Sequence, residues 1–313
     1  MAAPDDRVST RLVDGLNKLF GSHRGYRAAH AKGMCYLGVF RASADAATLT
    51  RAAHMAGAEV PVTVRFSNGA GNPQIPDGAP DGRGMAVRFH LVDKRHTDLL
   101  AITSPVFPAR VPEDFIELMT ALTADPATHQ PDVKKVEAFK RAHPELQAAL
   151  DLALGAPPLA SYARAAYYAV HAFRFTNAAG QARFVRYSWR PQAGTATIPP
   201  EEAQRRPPDY LQTELCERLV AGPVVFTLHL QLAGDGDDVN DPATAWPESR
   251  PSVLAGTLRI TAPVSDQRGG CEALVFDPSV VTDGIACSDD PILNARPGAY
   301  SVSYKRRTTP SGS

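Results

Sequence analysis

Residues 61–69, "PVTVRFSNG", alternate with a period of two. Val62, Val64 and Phe66 fall on one side, and Thr63, Arg65 and Ser67 on the other, as in a strand with one apolar and one polar face. "GMAVRFHLV" (84–92) repeats the pattern, with Met85, Val87, Phe89 and Leu91 against Ala86, Arg88 and His90. "QARFVRYSWR" (181–190), "VVFTLHLQLA" (224–233) and "GTLRITAPV" (256–264) continue it, and "NAAGQ" (177–181) reads as a hairpin turn. Strands that follow one another through short turns pair antiparallel.

Helical periodicity is confined to blocks. Val8, Leu12, Leu16, Leu19 and Phe20 form one stripe ending at Gly21. "PEDFIELMTAL" (112–122) spaces Phe115, Ile116, Met119 and Leu122 as a helix does. In "DVKKVEAFKRAHPELQAALDLALG" (132–155), Pro144 opens a second helix that Gly155 closes. The proline- and acid-rich stretches 189–210 and 234–248 read as long surface connections. This order predicts an α+β fold built on an antiparallel barrel with inserted and flanking helices. It forms one domain over residues 1–313, with 1–7 and 308–313 as loose termini.

Composition narrows the partners. Thirty-three Lys and Arg against thirty-three Asp and Glu give a net charge of zero, so no global field draws in nucleic acid or an anionic membrane surface. No apolar run approaches about 18 residues, so no membrane span is expected. The first residues carry two acids and no signal-peptide core, which points to the cytoplasm. Cys35, Cys216, Cys271 and Cys287 are scattered without a CxxC pair, and reduced thiols are the expectation.

Three groups of residues could carry chemistry. His30 lies between Ala29 and Ala31, with Ala28 and Arg27 just before it. A lone histidine is usually structural, but the small neighbours leave room for a flat bound group, and Arg27 could meet an anion at its edge. Arg65 and Ser67 share a strand face with Thr63, which is either the wet face of an edge strand or the lining of a barrel interior that holds a charged ligand. Arg296 and Tyr300 are four apart, hence on one face of a helix, with Pro297 suited to its first turn and Tyr304 and Arg307 nearby. An arginine beside a phenol favours the phenolate, a hard ligand for ferric iron. An ordinary core tyrosine is the other reading. No GxSxG elbow, P-loop or strand–GxGxxG–helix context occurs.

In order along the chain, "RAAHAKG" (27–33), "VRFSNGAG" (64–71), "DGRGMAVRFH" (81–90), "TDLLAITSPVFPARVPEDF" (97–115), "FRFTNAAGQARFVRYSW" (173–189), "DPATAWP" (241–247) and "VFDPSVVTDGIACSDDPILNARPGAYSVSY" (275–304) resemble segments of the haem catalases. The resemblance runs from about residue 20 to 307 and implies an eight-stranded barrel and a ferric, tyrosinate-ligated haem b. It assigns His30 as the distal acid–base, moving a proton from one peroxide oxygen to the other. Ser67 orients His30, Tyr300 is the iron ligand, and Arg296 is the charge partner of Tyr300. Arg27, Arg65 and Arg307 pair with the haem propionates, and Phe107 belongs to the distal channel.

Departures from the family shape the functional expectation. Ile102 stands where catalases have a hydrogen-bonding asparagine, with Thr103 as a neighbour that could replace it only through a register shift. Ala29 replaces a valine and Tyr304 a histidine, and the chain is shorter than typical catalases, without their N-terminal arm and C-terminal helical region. These differences imply a haem peroxidase that reduces hydrogen peroxide or organic hydroperoxides with an external donor and releases little dioxygen. It would be a monomer or homodimer, because the arm that interlocks tetramers is missing. The alternatives are a fatty-acid hydroperoxide isomerase or dehydratase on the same fold, similar to allene oxide synthases, and a haem-binding protein without turnover.

Overall fold

A computed structural model describes residues 6–125, 128 and 130–309. Along the chain run α1 (Asp6–Phe20), β1 (Gly33–Ala42), α2 (Ala44–Leu49), β2 (Glu59–Asn68), β3 (Arg83–His90), β4 (His96–Ile102), α3 (Pro112–Leu122), α4 (Val133–Ala142) and α5 (Gln147–Leu154). There follow β5 (Tyr167–Tyr168), β6 (Phe173–Thr176), β7 (Ala182–Pro191), α6 (Pro200–Ala203), α7 (Tyr210–Ala221), β8 (Val224–Leu232), β9 (Ser252–Pro263), β10 (Ile285–Cys287) and α8 (Pro291–Thr308). Every pairing is antiparallel. The order β7-β5-β4-β3-β2-β1-β9-β8 closes on itself through β7–β8, while β6 and β10 extend from β7. The result is a closed eight-stranded barrel, which leaves no edge along the ring.

The inward face of each strand supplies the core. Tyr36, Phe40, Val64, Phe66, Val87, Tyr167, Trp189, Phe226 and Leu228 are all fully buried there. Their rings meet edge-on or stacked, as Phe66 does on Tyr162 with centroids 5.4 Å apart. The barrel is therefore filled and has no room for a ligand. β2 lies between β1 and β3 and is not an edge strand, so neither sequence reading of Thr63, Arg65 and Ser67 is right. They point outward from the barrel, yet stay buried because helices cover that face. α1 packs against α8 and α3 and forms that cover.

Local chemistry fixes the ends of α8. The Asp290 carboxylate accepts from the Ile292 and Leu293 N–H groups at 2.8 and 3.2 Å, and Pro291 occupies the first turn. Pro297 therefore sits inside this helix and not in its opening turn, because the helix begins six residues earlier than "RPGAY" implies. The stretch 189–210 read as a connection holds the end of β7 and the short α6 and runs into α7 at Tyr210. Asp6 and Arg7 open α1 and Thr308 closes α8, so these positions of the expected loose termini are helical. Residues 1–5 and 310–313 lie outside the described part. Among the described residues no helix is long and apolar enough to cross a membrane.

The cysteine expectation fails at one pair. Cys35 of β1 and Cys271 form a disulfide across 236 residues of sequence, while Cys216 and Cys287 are free. Barrel closure brings the segment after β9 alongside β1, and no local spacing signals that. Gln267 completes the junction: its side-chain oxygen accepts from the Cys35 N–H and its amide donates to the Cys35 carbonyl, both at 2.9 Å. The crosslink also removes the cysteine part of the case for a reducing compartment.

Replacing Cys35 and Cys271 together by alanine should cost about 2–4 kcal/mol, and lower the unfolding midpoint by roughly 4–10 °C. Calorimetry of the oxidised chain beside the variant measures this, and an unchanged midpoint would contradict it.

Candidate functional site

Between the outer face of β2–β4 and the cover formed by α1 and α8 lies a cavity. All nine residues singled out from sequence line it: Arg27, His30, Arg65, Ser67, Ile102, Phe107, Arg296, Tyr300 and Arg307. They come from four separated parts of the chain, and barrel closure brings them together. Leu12, Val13 and Leu16 of α1 also face this space.

One wall carries His30. Its backbone has φ of 55°, a left-handed conformation strained for a residue with a β-carbon. Three bonds hold it there. The His30 N–H donates to the Gly69 carbonyl at 2.9 Å, the Arg65 guanidinium donates to the His30 carbonyl at 3.0 Å, and the ring Nδ1 meets Ser67 Oγ at 3.0 Å. Gly84 of β3 makes this packing possible. A β-carbon there would lie 2.8 Å from both His30 Nδ1 and Ser67 Oγ. Gly33 does the same for Arg65, whose guanidinium carbon would be 2.7 Å from an added β-carbon. Burial, reinforced by the positive charges of Arg65, Arg296 and Arg27, pulls the imidazole down to about 3, so His30 is neutral at ordinary pH.

Ile102 ends β4 directly across from Gly84, and hence next to the histidine. Its side chain offers no hydrogen bond. Thr103 does not replace it: its hydroxyl accepts from the Arg83 N–H at 3.1 Å, and it is not part of the lining. Phe107 packs against Phe115 with centroids 4.9 Å apart, an aromatic patch farther along the same space.

The opposite wall is α8. Arg296 donates through Nε and Nη2 to the Tyr300 hydroxyl oxygen at 2.8 and 2.5 Å. Its Nη1 donates to His171 Nε2 at 2.9 Å, and His171 Nδ1 donates to Asp290 at 2.6 Å. The chain Asp290–His171–Arg296 thus aims two N–H groups at one phenol oxygen. Sequence reading missed His171 and Asp290, because "VHAF" and "SDDP" are far apart and neither is a motif alone. Burial raises the Tyr300 hydroxyl above its ordinary value, and Arg296 pulls against it without reversing it. The arginine alone does not make a phenolate, and a cation bound to the oxygen would supply the rest.

At the cavity's edge three guanidinium groups converge on one carboxylate, that of Glu272, which sequence reading also missed. Arg27 bonds to Glu272 directly, Arg65 reaches it at 3.2 Å, and Arg307 stands 3.9 Å away. Burial and then repulsion from Arg65 pull Arg27 down to about 9, with Glu272 opposing. Burial lowers Arg65 and Arg307 as well. Among the described residues two buried donors, Arg65 Nε and Arg307 Nη1, have no hydrogen-bond partner. The cluster holds more positive charge and more N–H groups than one carboxylate satisfies.

The catalase family model matches residues 12–311. A catalase-related peroxidase of Mycolicibacterium paratuberculosis is 43% identical over 299 residues, covering 95% of this chain and 94% of that protein. A catalase-related peroxidase of Synechococcus elongatus is 38% identical over 95% of this chain and 88% of its own length. A fungal catalase structure superposes with a TM-score of 0.83 at 25% identity, covering 92% of this chain but 61% of its own. Catalase A from Saccharomyces cerevisiae, 24% identical with a TM-score of 0.83 and 62% covered, shares the fold. The chain thus spans about three fifths of the solved catalase chains it matches.

A buried neutral histidine weakens the fold in acid. Unfolded His30 takes up a proton below its ordinary value of 6.5, and the folded residue does so only near 3. Stability is therefore complete above pH 6.5 and declines as pH falls through that window, by about 1.4 kcal/mol per unit. His30→Gln should flatten the decline between pH 6 and 4 by about that slope. Denaturant unfolding at several pH values is the check, and equal slopes in both chains would refute the assignment.

Proposed function

This chain belongs to the catalase family, and we propose that within it the protein works as a haem peroxidase, reducing hydrogen peroxide or organic hydroperoxides at the expense of an external donor. The observation that carries the reading is the pairing of two walls: His30 on Ser67 facing a space whose other side is Tyr300 held by Arg296. The residues present fit haem b. Tyr300 offers an oxygen ligand, Ala28 and Ala29 leave one wall bare, and the arginine cluster has donors left over for two carboxylates. Tyr300 would hold the iron, and Arg27, Arg65 and Arg307 the propionates. When bound, haem supplies the redox-active iron at which a peroxide O–O bond is cleaved.

The protein's own groups do the proton work and the positioning. Neutral His30 accepts the proton of the incoming hydroperoxide and returns it to the departing oxygen, so the leaving group departs as water or an alcohol and not as an oxyanion. Ser67 fixes the ring through Nδ1, and the left-handed backbone aims it. Asp290 and His171 hold Arg296, which would steady a negative charge on Tyr300 once iron is bound. Ile102 and Phe107 make the approach apolar and admit an alkyl hydroperoxide.

The side chain of Ile102 also sets the choice between two fates. Oxidation of a second hydrogen peroxide to dioxygen requires that molecule to be held by polar contacts, and Ile102 supplies none. With hydrogen peroxide, cumene hydroperoxide and a dye donor, the haem-loaded protein should oxidise dye readily and evolve little dioxygen. Catalase-grade dioxygen release would overturn the reading. Ile102→Asn adds one hydrogen bond of about 1.4 kcal/mol and should raise the ratio of dioxygen evolved to dye oxidised about tenfold. Tyr300→Phe should lose most bound haem on purification, seen as a fall in haem absorbance per protein. Full haem content with an unaltered spectrum would exclude Tyr300 as the ligand.

A further inference from the structure

A second cavity, of about 390 Å³, lies on the outer side of the arginine cluster, between the C-terminal ends of α1 and α8. It is the size of a site for a small molecule. Arg27, Ala28, Ser303 and Arg307 line both cavities, so they form a shared wall. The first cavity is mainly apolar, while the second is lined by Arg24, Arg27, Arg306 and Arg307, together with His23 and Tyr26.

Charge at this wall is out of balance. Glu272 is the only carboxylate within reach of Arg27 and Arg307 among the described residues, and it also serves Arg65. Two haem carboxylates would complete that set, three positive charges against three negative. The outer rim stays cationic even so. Arg306 pairs with Asp14 at 2.7 Å, but both side chains are about half exposed, so the pair is weak and open to exchange. Arg24 is exposed and has no ion-pair partner among the described residues. Tyr26, 45% exposed, presents an aromatic face beside them.

A peroxidase needs a second substrate that comes close to the redox centre without entering the peroxide channel. We propose that this outer cavity is the donor site, and that it takes an anionic phenol. The carboxylate of the phenol pairs with Arg24 and Arg306, and its ring rests against Tyr26, over the wall that carries Arg27 and Arg307. This rests on the peroxidase reading above. Each phenol surrenders one electron and its hydroxyl proton and leaves as a phenoxyl radical. Two phenols reduce one hydroperoxide to an alcohol and a water, so electrons and protons balance.

The test uses haem-loaded enzyme, one alkyl hydroperoxide, and two donors that differ in charge, p-hydroxyphenylacetate and neutral p-hydroxybenzyl alcohol. In the Arg24→Glu/Arg306→Glu variant the KM for p-hydroxyphenylacetate should rise about tenfold, an effect that shrinks as salt screens it. The KM values for the alcohol and for the hydroperoxide should stay within about twofold, and Arg24→Lys should keep most of the preference for the anion. Calorimetry without peroxide should show p-hydroxyphenylacetate binding to the haem-loaded enzyme and weaker binding to the double variant. Unchanged KM and unchanged binding in the double variant, with turnover intact, would place the donor elsewhere and overturn the proposal. An equal loss for both donors would overturn it too, since charge would not be what is read. If the unaltered enzyme binds p-hydroxyphenylacetate but oxidises neither phenol with any hydroperoxide, it is the peroxidase reading that falls, and the donor assignment falls with it.

Discussion

The period-two pleat of β2 is the constraint on which the rest depends. Val62, Val64 and Phe66 must turn inward, because the barrel has no other way to fill its centre. That leaves Thr63, Arg65 and Ser67 facing out, and a buried outward arginine needs partners. A slip of one residue in register would put Arg65 into the apolar core and Phe66 into the cavity. Core formation and site formation are therefore a single event on this strand, each fixing the other. The pairing of β2 with β3 then sets Gly84 opposite Ser67, where the missing side chain makes room for His30.

The arginine cluster follows from the same register and carries a cost that the fold offsets in stages. Arg65 is 3% exposed and lies near two more guanidinium groups. Backbone carbonyls satisfy part of the demand: His30 and Ala31 for Arg65, and Leu274 for both Arg27 and Arg307. Glu272 adds one negative charge, and its position is secured because Cys271, the residue before it, is tied to β1. The disulfide thus connects barrel closure to electrostatics at the site edge. What stays unsatisfied, two N–H groups and net positive charge, is the part a dianionic ligand would complete.

Much of this was legible in the sequence, for a physical reason. Alternation in 61–69 and 84–92 directly encodes which side chains share a face, and helical spacing encodes Arg296 beneath Tyr300. The ordered motifs then named nine of the residues that line the cavity. What was hidden depends on chain closure. His171 reaches Arg296 across 125 positions, Glu272 reaches Arg27 across 245, and Cys35 reaches Cys271 across 236. No local period carries such distances. The glycines at 33 and 84 stand at the starts of β1 and β3, where a missing side chain leaves room for Arg65 and for His30 with Ser67. The error over the barrel interior arose because alternation tells faces apart but does not say which one the closed sheet turns inward.

Ile102 shows how chemistry can be redirected without altering the scaffold. It pairs with Gly84 and Tyr168, positions set by the sheet, so its backbone is as constrained as any in the barrel. The side chain alone is free to differ. With no donor or acceptor on Ile102, on the proposed reading a small, strongly hydrated second peroxide would gain nothing by entering. An alkyl hydroperoxide would lose little on this reading, since its apolar part could meet Ile102 and Phe107 while its terminal oxygen met the histidine. Such a wall favours substrates that bring their own apolar surface, and it makes turnover depend on electrons delivered from outside the cavity. On the proposed donor assignment, the separate cationic recess behind Arg27 and Arg307 would answer that dependence, with the donor approaching the shared wall from outside the peroxide cavity.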